Sequence, residues 1–135
     1  MRSGGWTALA VAVVAVAAVG AYAGNQMEAR SRLQQRVTAL THGGDPVAGR
    51  EELARSSCGG CHQIPGVRGA SGKVGPPLTG FSGRAYIGGR LQNTPPNLMA
   101  WIIDPHAVDP QSAMPPTGVS RDQARDMAAY LYTLR

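Results

Sequence analysis

The only two cysteines of this 135-residue chain lie together, followed by a histidine, at Cys58-Gly59-Gly60-Cys61-His62. Two thiols three positions apart beside an imidazole are open to four kinds of chemistry. A structural disulfide at this spacing closes too small a loop to add much stability. A structural zinc ion needs four ligands. Here there are two thiols, and His42 and His106 form no second pair at ligand spacing. A redox dithiol of the thioredoxin type needs alternating strands and helices around it, and no such alternation is legible. The fourth possibility is covalent haem attachment, for which Cys-x-x-Cys-His is the motif. Two thiols add across the two vinyl groups of a porphyrin, so they must sit a fixed distance apart on one turn. The next residue then lies beneath the iron and offers an imidazole nitrogen. Gly59 and Gly60 leave the turn uncrowded.

Iron held by His62 on one side has a second axial position to fill. Met99, Met114, Met127 and His106 are the candidates. Met127 falls on the apolar stripe of the last helix and reads as core, and Met99 reads as packing within its own helix. Met114 sits in Ser112-Ala113-Met114-Pro115-Pro116, a loop that its prolines hold extended. A thioether on a stiff loop suits a His/Met site, in which sulfur stabilises ferrous iron and raises the potential. His106 follows a helix stop and is the second candidate ligand.

The elements that must position these groups are helices and loops. Asp45 caps a helix with Pro46 at its first position, and the helix runs to about Ser57. Next comes a proline- and glycine-rich stretch from Ile64 to Arg90; it cannot build a core alone and has to wrap around something. The sequence predicts a helix over Pro95–Ile103, stopped by Asp104-Pro105. It predicts a last helix opening at Ser120, with Asp122 in its first turn and Ala124, Met127, Ala128, Leu131 and Leu134 on one buried stripe. No strand pattern and no repeat is visible. The composition agrees with a wrapped centre: 18 glycines, 10 prolines and one phenylalanine make a thin core that needs a cofactor or staple.

Ahead of this region Arg2 precedes an uncharged run from Trp6 to Ala23, WTALAVAVVAVAAVGAYA. As a helix it spans about 27 Å, close to the thickness of a bilayer's hydrocarbon core. It is expected to be an anchor over residues 1–24. The alternative is a signal peptide cut near Ala23, with Ala21-Tyr22-Ala23 as the small-x-small site. Residues 25–44 read as a stalk or linker helix, with Met27, Leu33, Val37 and Leu40 at helical spacing. Either reading puts the rest of the chain outside the cytoplasmic membrane. Residues 45–135 form the remaining domain. That domain carries nine basic and seven acidic groups, and no basic run is interleaved with aromatics, so nucleic-acid binding has no support and is not expected.

From Asp45 to Arg135 the chain resembles the class I c-type cytochromes, above all the short bacterial monohaem kind and the cytochrome tail of haem-copper oxidase subunit II. The residues that carry the likeness are CGGCH at 58–62, GPPL at 75–78, NTPPNLMAWIIDP at 93–105, AMP at 113–115 and AAYL at 128–131. The resemblance implies an all-α fold wrapped around one covalent haem c. It also implies roles. Pro76 would accept a hydrogen bond from His62 through its carbonyl, Gly49 would leave room for the Tyr130 ring where the first and last helices cross, and Arg84 and Trp101 would meet the haem propionates. With six-coordinate iron no substrate chemistry is expected, and the function implied is one-electron transfer in a respiratory chain. The donor would be a quinol-oxidising complex or a dehydrogenase, and the acceptor a terminal oxidase. The domain is placed on the periplasmic side of a bacterial inner membrane or, after cleavage, free in the periplasm. An integral subunit of a larger respiratory or dehydrogenase complex and a haem peroxidase-type enzyme are the alternatives.

Overall fold

The computed structural model describes residues 4–135, so Arg2 lies outside the described residues. The chain divides into two units at Leu33 and Gln34. Helix α1, Gly4–Leu40, runs through the division.

In the first unit the apolar run is helical, as alanines and valines without proline allow. Its side chains are exposed all round, Trp6 at 83%, Val16 at 73% and Tyr22 at 67%. Helix α1 is long and apolar enough to cross a membrane. Arg32 and Glu28 pair on its surface at 3.1 Å, one helical turn apart.

The second unit begins at Gln34, ahead of Asp45. Val37 in the last turn of α1 and Thr41 just beyond it are 3% and 1% exposed. Thr41 Oγ donates to the Val37 carbonyl at 2.7 Å and accepts the Gly44 amide at 3.2 Å. The helix ends with His42 in the left-handed region, and the Gly43 amide returns to the Thr38 carbonyl at 2.8 Å.

Helix α2, Pro46–Arg55, starts at Asp45, whose carboxylate accepts the Val47 amide at 2.7 Å. It crosses helix α4, Arg121–Leu131, closely. A Cβ at Gly49 would overlap the carbonyl of Asp126, so the glycine makes room for the backbone of α4. This corrects the expectation that Gly49 clears space for the Tyr130 ring. The ring instead reaches the chain at Pro65 and Gly66, where the Tyr130 hydroxyl donates to the Pro65 carbonyl at 2.6 Å. Two polar bonds flank the crossing: Asp45 amide to Asp126 Oδ1 at 2.9 Å, and Gln123 Nε2 to Glu52 Oε2 at 3.0 Å.

Helix α3, Pro95–Ile103, buries Leu98 and Ile102, and Asp104 ends it. Helix α4 opens on a capping box, in which Ser120 and Gln123 satisfy each other's backbone amides at 3.2 and 2.9 Å. Ala124, Met127, Ala128 and Ala129 are fully buried along it.

A small hairpin corrects the expectation of no strands. Strands β1, Tyr86–Ile87, and β2, Leu91–Gln92, pair antiparallel within the glycine-rich stretch. Two residues per strand are too few to display a period. Both Gly88 and Gly89 adopt positive φ, and the Arg90 amide closes the turn on the Ile87 carbonyl at 3.0 Å. Gly88 meets a second demand, since a Cβ there would run into the Trp101 ring.

Candidate haem site

The two thiols are delivered by a sharp change of direction at the end of α2. Ser57 takes a left-handed conformation, and Cys58–Gly60 form one 3-10 turn. The amides of Cys61 and His62 both return to the Cys58 carbonyl, at 3.2 and 2.9 Å. That tight loop presents Cys58, Cys61 and His62 together. No disulfide joins the two cysteines. Burial pushes the Cys58 thiol up from its ordinary pKa, and Cys61 is exposed.

The segment Gly75–Leu78 is laid against this turn by backbone bonds. The Gly75 amide donates to the Cys61 carbonyl and the Leu78 amide to the Gln63 carbonyl, both at 2.8 Å. Gly75 backs directly onto the His62 imidazole, and a Cβ there would overlap the ring. His62 Nδ1 lies 2.8 Å from the Pro76 carbonyl. A carbonyl can only accept, so Nδ1 carries a proton, and in the neutral ring the lone pair is then on Nε2. A neutral imidazole with its outer nitrogen fixed in this way is the form that binds a metal.

All of these groups open onto a mainly apolar cavity of about 350 Å³. Leu53 of α2, Leu98 and Ile102 of α3, Leu131 of α4, Ile87 of β1 and the connecting residues Leu78 and Phe81 supply its walls. The seven residues singled out from the sequence, Cys58, Cys61, His62, Pro76, Arg84, Trp101 and Met114, all lie in the lining. Of the methionines in the unit Gln34–Arg135, Met114 alone is there: Met127 is fully buried in the α4 core and Met99 is half-buried on α3. His106 is outside the lining, with Nε2 donating to the Ser112 carbonyl at 3.0 Å.

Arg84 lies at the cavity edge with its guanidinium 5.4 Å from the Phe81 ring centroid. It donates to the carbonyls of Pro77 and Thr79, which ties it to the segment just beyond Pro76. Phe81 in turn meets Tyr132 edge to face, with centroids 5.9 Å apart. Sequence reasoning missed Phe81 as a lining residue, although its being the chain's one phenylalanine was a usable signal. Tyr86 and Ile87 were missed with the hairpin that carries them, and a Gly-Gly pair was their only trace.

The donor set suits a haem and little else. Among the described residues no group of three or more His, Cys, Asp or Glu could hold a metal ion. One imidazole, one thioether and two protonatable thiols surround an apolar space of ligand size, which a flat apolar ring with a central iron can fill. When bound, such a group takes up and gives back single electrons at its iron.

Comparison with known proteins agrees. The Cytochrome c family model matches residues 47–135. Over 88 residues, 64% of this chain, the protein is 36% identical to cytochrome c oxidase subunit 2 of Alkalihalophilus pseudofirmus, and the matched part spans about a quarter (25%) of that relative's length. With two thirds of its length inside the family match, the chain belongs to the cytochrome c family, whose cofactor is a covalently attached haem c.

Proposed function

We propose that this protein is a membrane-anchored monohaem cytochrome that passes single electrons along a respiratory chain. The observation that carries the reading is the shared cavity: His62, with its Nε2 lone pair free, and Met114 line one apolar space together with both thiols. In this reading His62 and Met114 would hold the iron, and Cys58 and Cys61 would hold the ring through thioether bonds, each formed by adding S–H across a vinyl group with no net oxidation. Pro76 holds the His62 ring, and Arg84 and Trp101 would serve the propionates. Leu53, Leu98, Ile102 and Leu131 keep water from the site, which limits the reorganisation that accompanies a change of charge.

The unit 45–135 serves as the redox domain, residues 1–24 as the anchor and 25–44 as the stalk that keeps it near its partners. Tethering raises effective concentration without new contacts. The donor is a quinol-oxidising complex or a dehydrogenase, and the acceptor a terminal oxidase, met through small transient contacts. Arg68 and Lys73, both exposed, flank the attachment turn and favour an acidic partner. The domain faces the periplasm. The likeness to an oxidase subunit supports a second reading, in which the cytochrome is an integral part of a respiratory complex. Copurification with oxidase subunits in mild detergent favours the subunit, and purification alone favours the carrier.

The test of the site is spectroscopic. Ferric protein should show the weak sulfur-to-iron band near the red end of the spectrum. Met114→Ala should abolish it, lower the potential and open the iron to carbon monoxide. If Met114→Ala leaves the spectrum unchanged and His106→Ala alters it, His106 is the ligand and the assignment is wrong.

A further inference from the structure

The loop from Pro105 to Thr117 joins α3 to α4 and carries Met114, and its two ends are tied to α3. Thr117 donates from its amide to the Ile103 carbonyl at 3.1 Å and from Oγ to the Ile102 carbonyl at 2.7 Å. At the other end the Asp104 carboxylate accepts the amides of His106 and Ala107, at 3.0 and 3.3 Å. His106 is thereby rooted at the end of α3. Its imidazole reaches across the loop, and Nε2 donates to the Ser112 carbonyl at 3.0 Å. That carbonyl belongs to the peptide between Ser112 and Ala113, one residue short of Met114. The Ser112 hydroxyl accepts the Met114 amide at 3.2 Å. A relay therefore runs from α3 through the imidazole and Ser112 to the backbone of Met114. His106 is exposed, so apolar burial does not account for its orientation.

We propose that His106 is a positioning residue for Met114: its bond to the Ser112 carbonyl fixes the peptide plane that aims the thioether into the cavity. The proposal rests on the reading of Met114 as axial ligand. Without the bond, the loop stays attached at both ends and its middle swings more readily, so the thioether is more easily displaced from iron. Loss of one hydrogen bond of this kind changes such an equilibrium about fivefold.

The experiment titrates ferric, full-length holoprotein in detergent with imidazole, which competes with the thioether, and follows the sulfur-to-iron band. His106→Ala should bind imidazole about fivefold more tightly than the parent. His106→Gln, whose amide N–H can occupy the place of Nε2, should stay close to the parent. Asp45→Ala removes the cap of α2 and lowers stability without touching the loop, so its imidazole affinity should be unchanged. Parental affinity in His106→Ala overturns the proposal. So does a Gln variant as loose as the Ala variant, or an equal gain in Asp45→Ala. Met114→Ala separates the two readings. If it leaves the band and the affinity untouched, the ligation reading fails. If it abolishes the band while His106→Ala matches the parent, ligation stands and the positioning role is refuted.

Discussion

A single atom explains much of the site at the scale of residues. The Pro76 carbonyl can only accept, and it thereby decides which nitrogen of His62 is free. Gly75 completes the arrangement by letting the backbone press against the ring. Gly75→Val would force the imidazole aside. Its holoprotein should form in much lower yield, read as haem absorbance per unit protein, while Gly83→Val, where a Cβ meets nothing within 4 Å, should load normally. Tyr132 gives a pH prediction. Burial pushes its phenol up from 10 to about 12, and the hydroxyl donates to Asn93 Oδ1 at 2.9 Å. The folded state therefore keeps a proton that the unfolded chain loses between those values. The contribution of Tyr132 to stability is undiminished below pH 10 and declines as pH rises toward 12. Denaturant midpoints should fall across that window, and Tyr132→Phe should flatten the fall. The chemistry-bearing residues were legible because thiols, imidazole and thioether are rare types at recognisable spacings. The wall residues were not, since a leucine or phenylalanine in a loop carries no sign of which space it lines.

At the scale of elements, punctuation was legible and contact was not. Helix α3 could be bounded from sequence because Pro95-Pro96 favours a start and Asp104-Pro105 compels a stop. The start of helix α4 could be read because Ser120 is a natural cap with Asp122 in the first turn, and the structure adds Gln123 as the second half of a capping box. The hairpin at Tyr86–Gln92 escaped for want of length, and the partner of Gly49 was misread because spacing does not say whether a glycine clears a ring or a backbone. The structure makes the α2–α4 crossing the strictest contact of the fold. Backbone cannot yield as a side chain end can, so Gly49→Ala should destabilise the protein by about 1–3 kcal/mol, the usual cost of overpacking. Ser120→Ala, which removes only a cap, should cost about 1 kcal/mol. Chemical denaturation of both variants measures the order, and an equal loss would mean that α2 and α4 can slide apart to absorb the methyl group. Acid should act on the same crossing. Glu52 is held below its ordinary pKa mainly by its hydrogen bond to Arg55, with Gln123 of α4 adding a second. Its contribution is present above the usual carboxylate range and is lost as pH falls.

For the whole molecule the question is what holds the protein at its place of work. Helix α1 continues from the apolar run through Gly24 to Leu40 without a break, so no flexible joint interrupts the chain at the candidate cleavage point. Its apolar faces are exposed in water, which is costly for so many valines and alanines unless a bilayer covers them. A lipid-covered helix resists salt and alkali, because neither reverses apolar burial, whereas a protein held by charge alone is released as salt screens the attraction. Membranes washed first with high salt and then with carbonate should therefore retain the haem protein at its full mass. Removal of residues 1–24 should shift it to the soluble fraction with an unchanged haem spectrum, since none of the described residues of that segment lines the cavity. Recovery of the native protein from the periplasm with Gly24 at its amino end would defeat the anchor. Electron transfer would then rest on the unit from Gln34 onward, which holds every residue of the haem cavity.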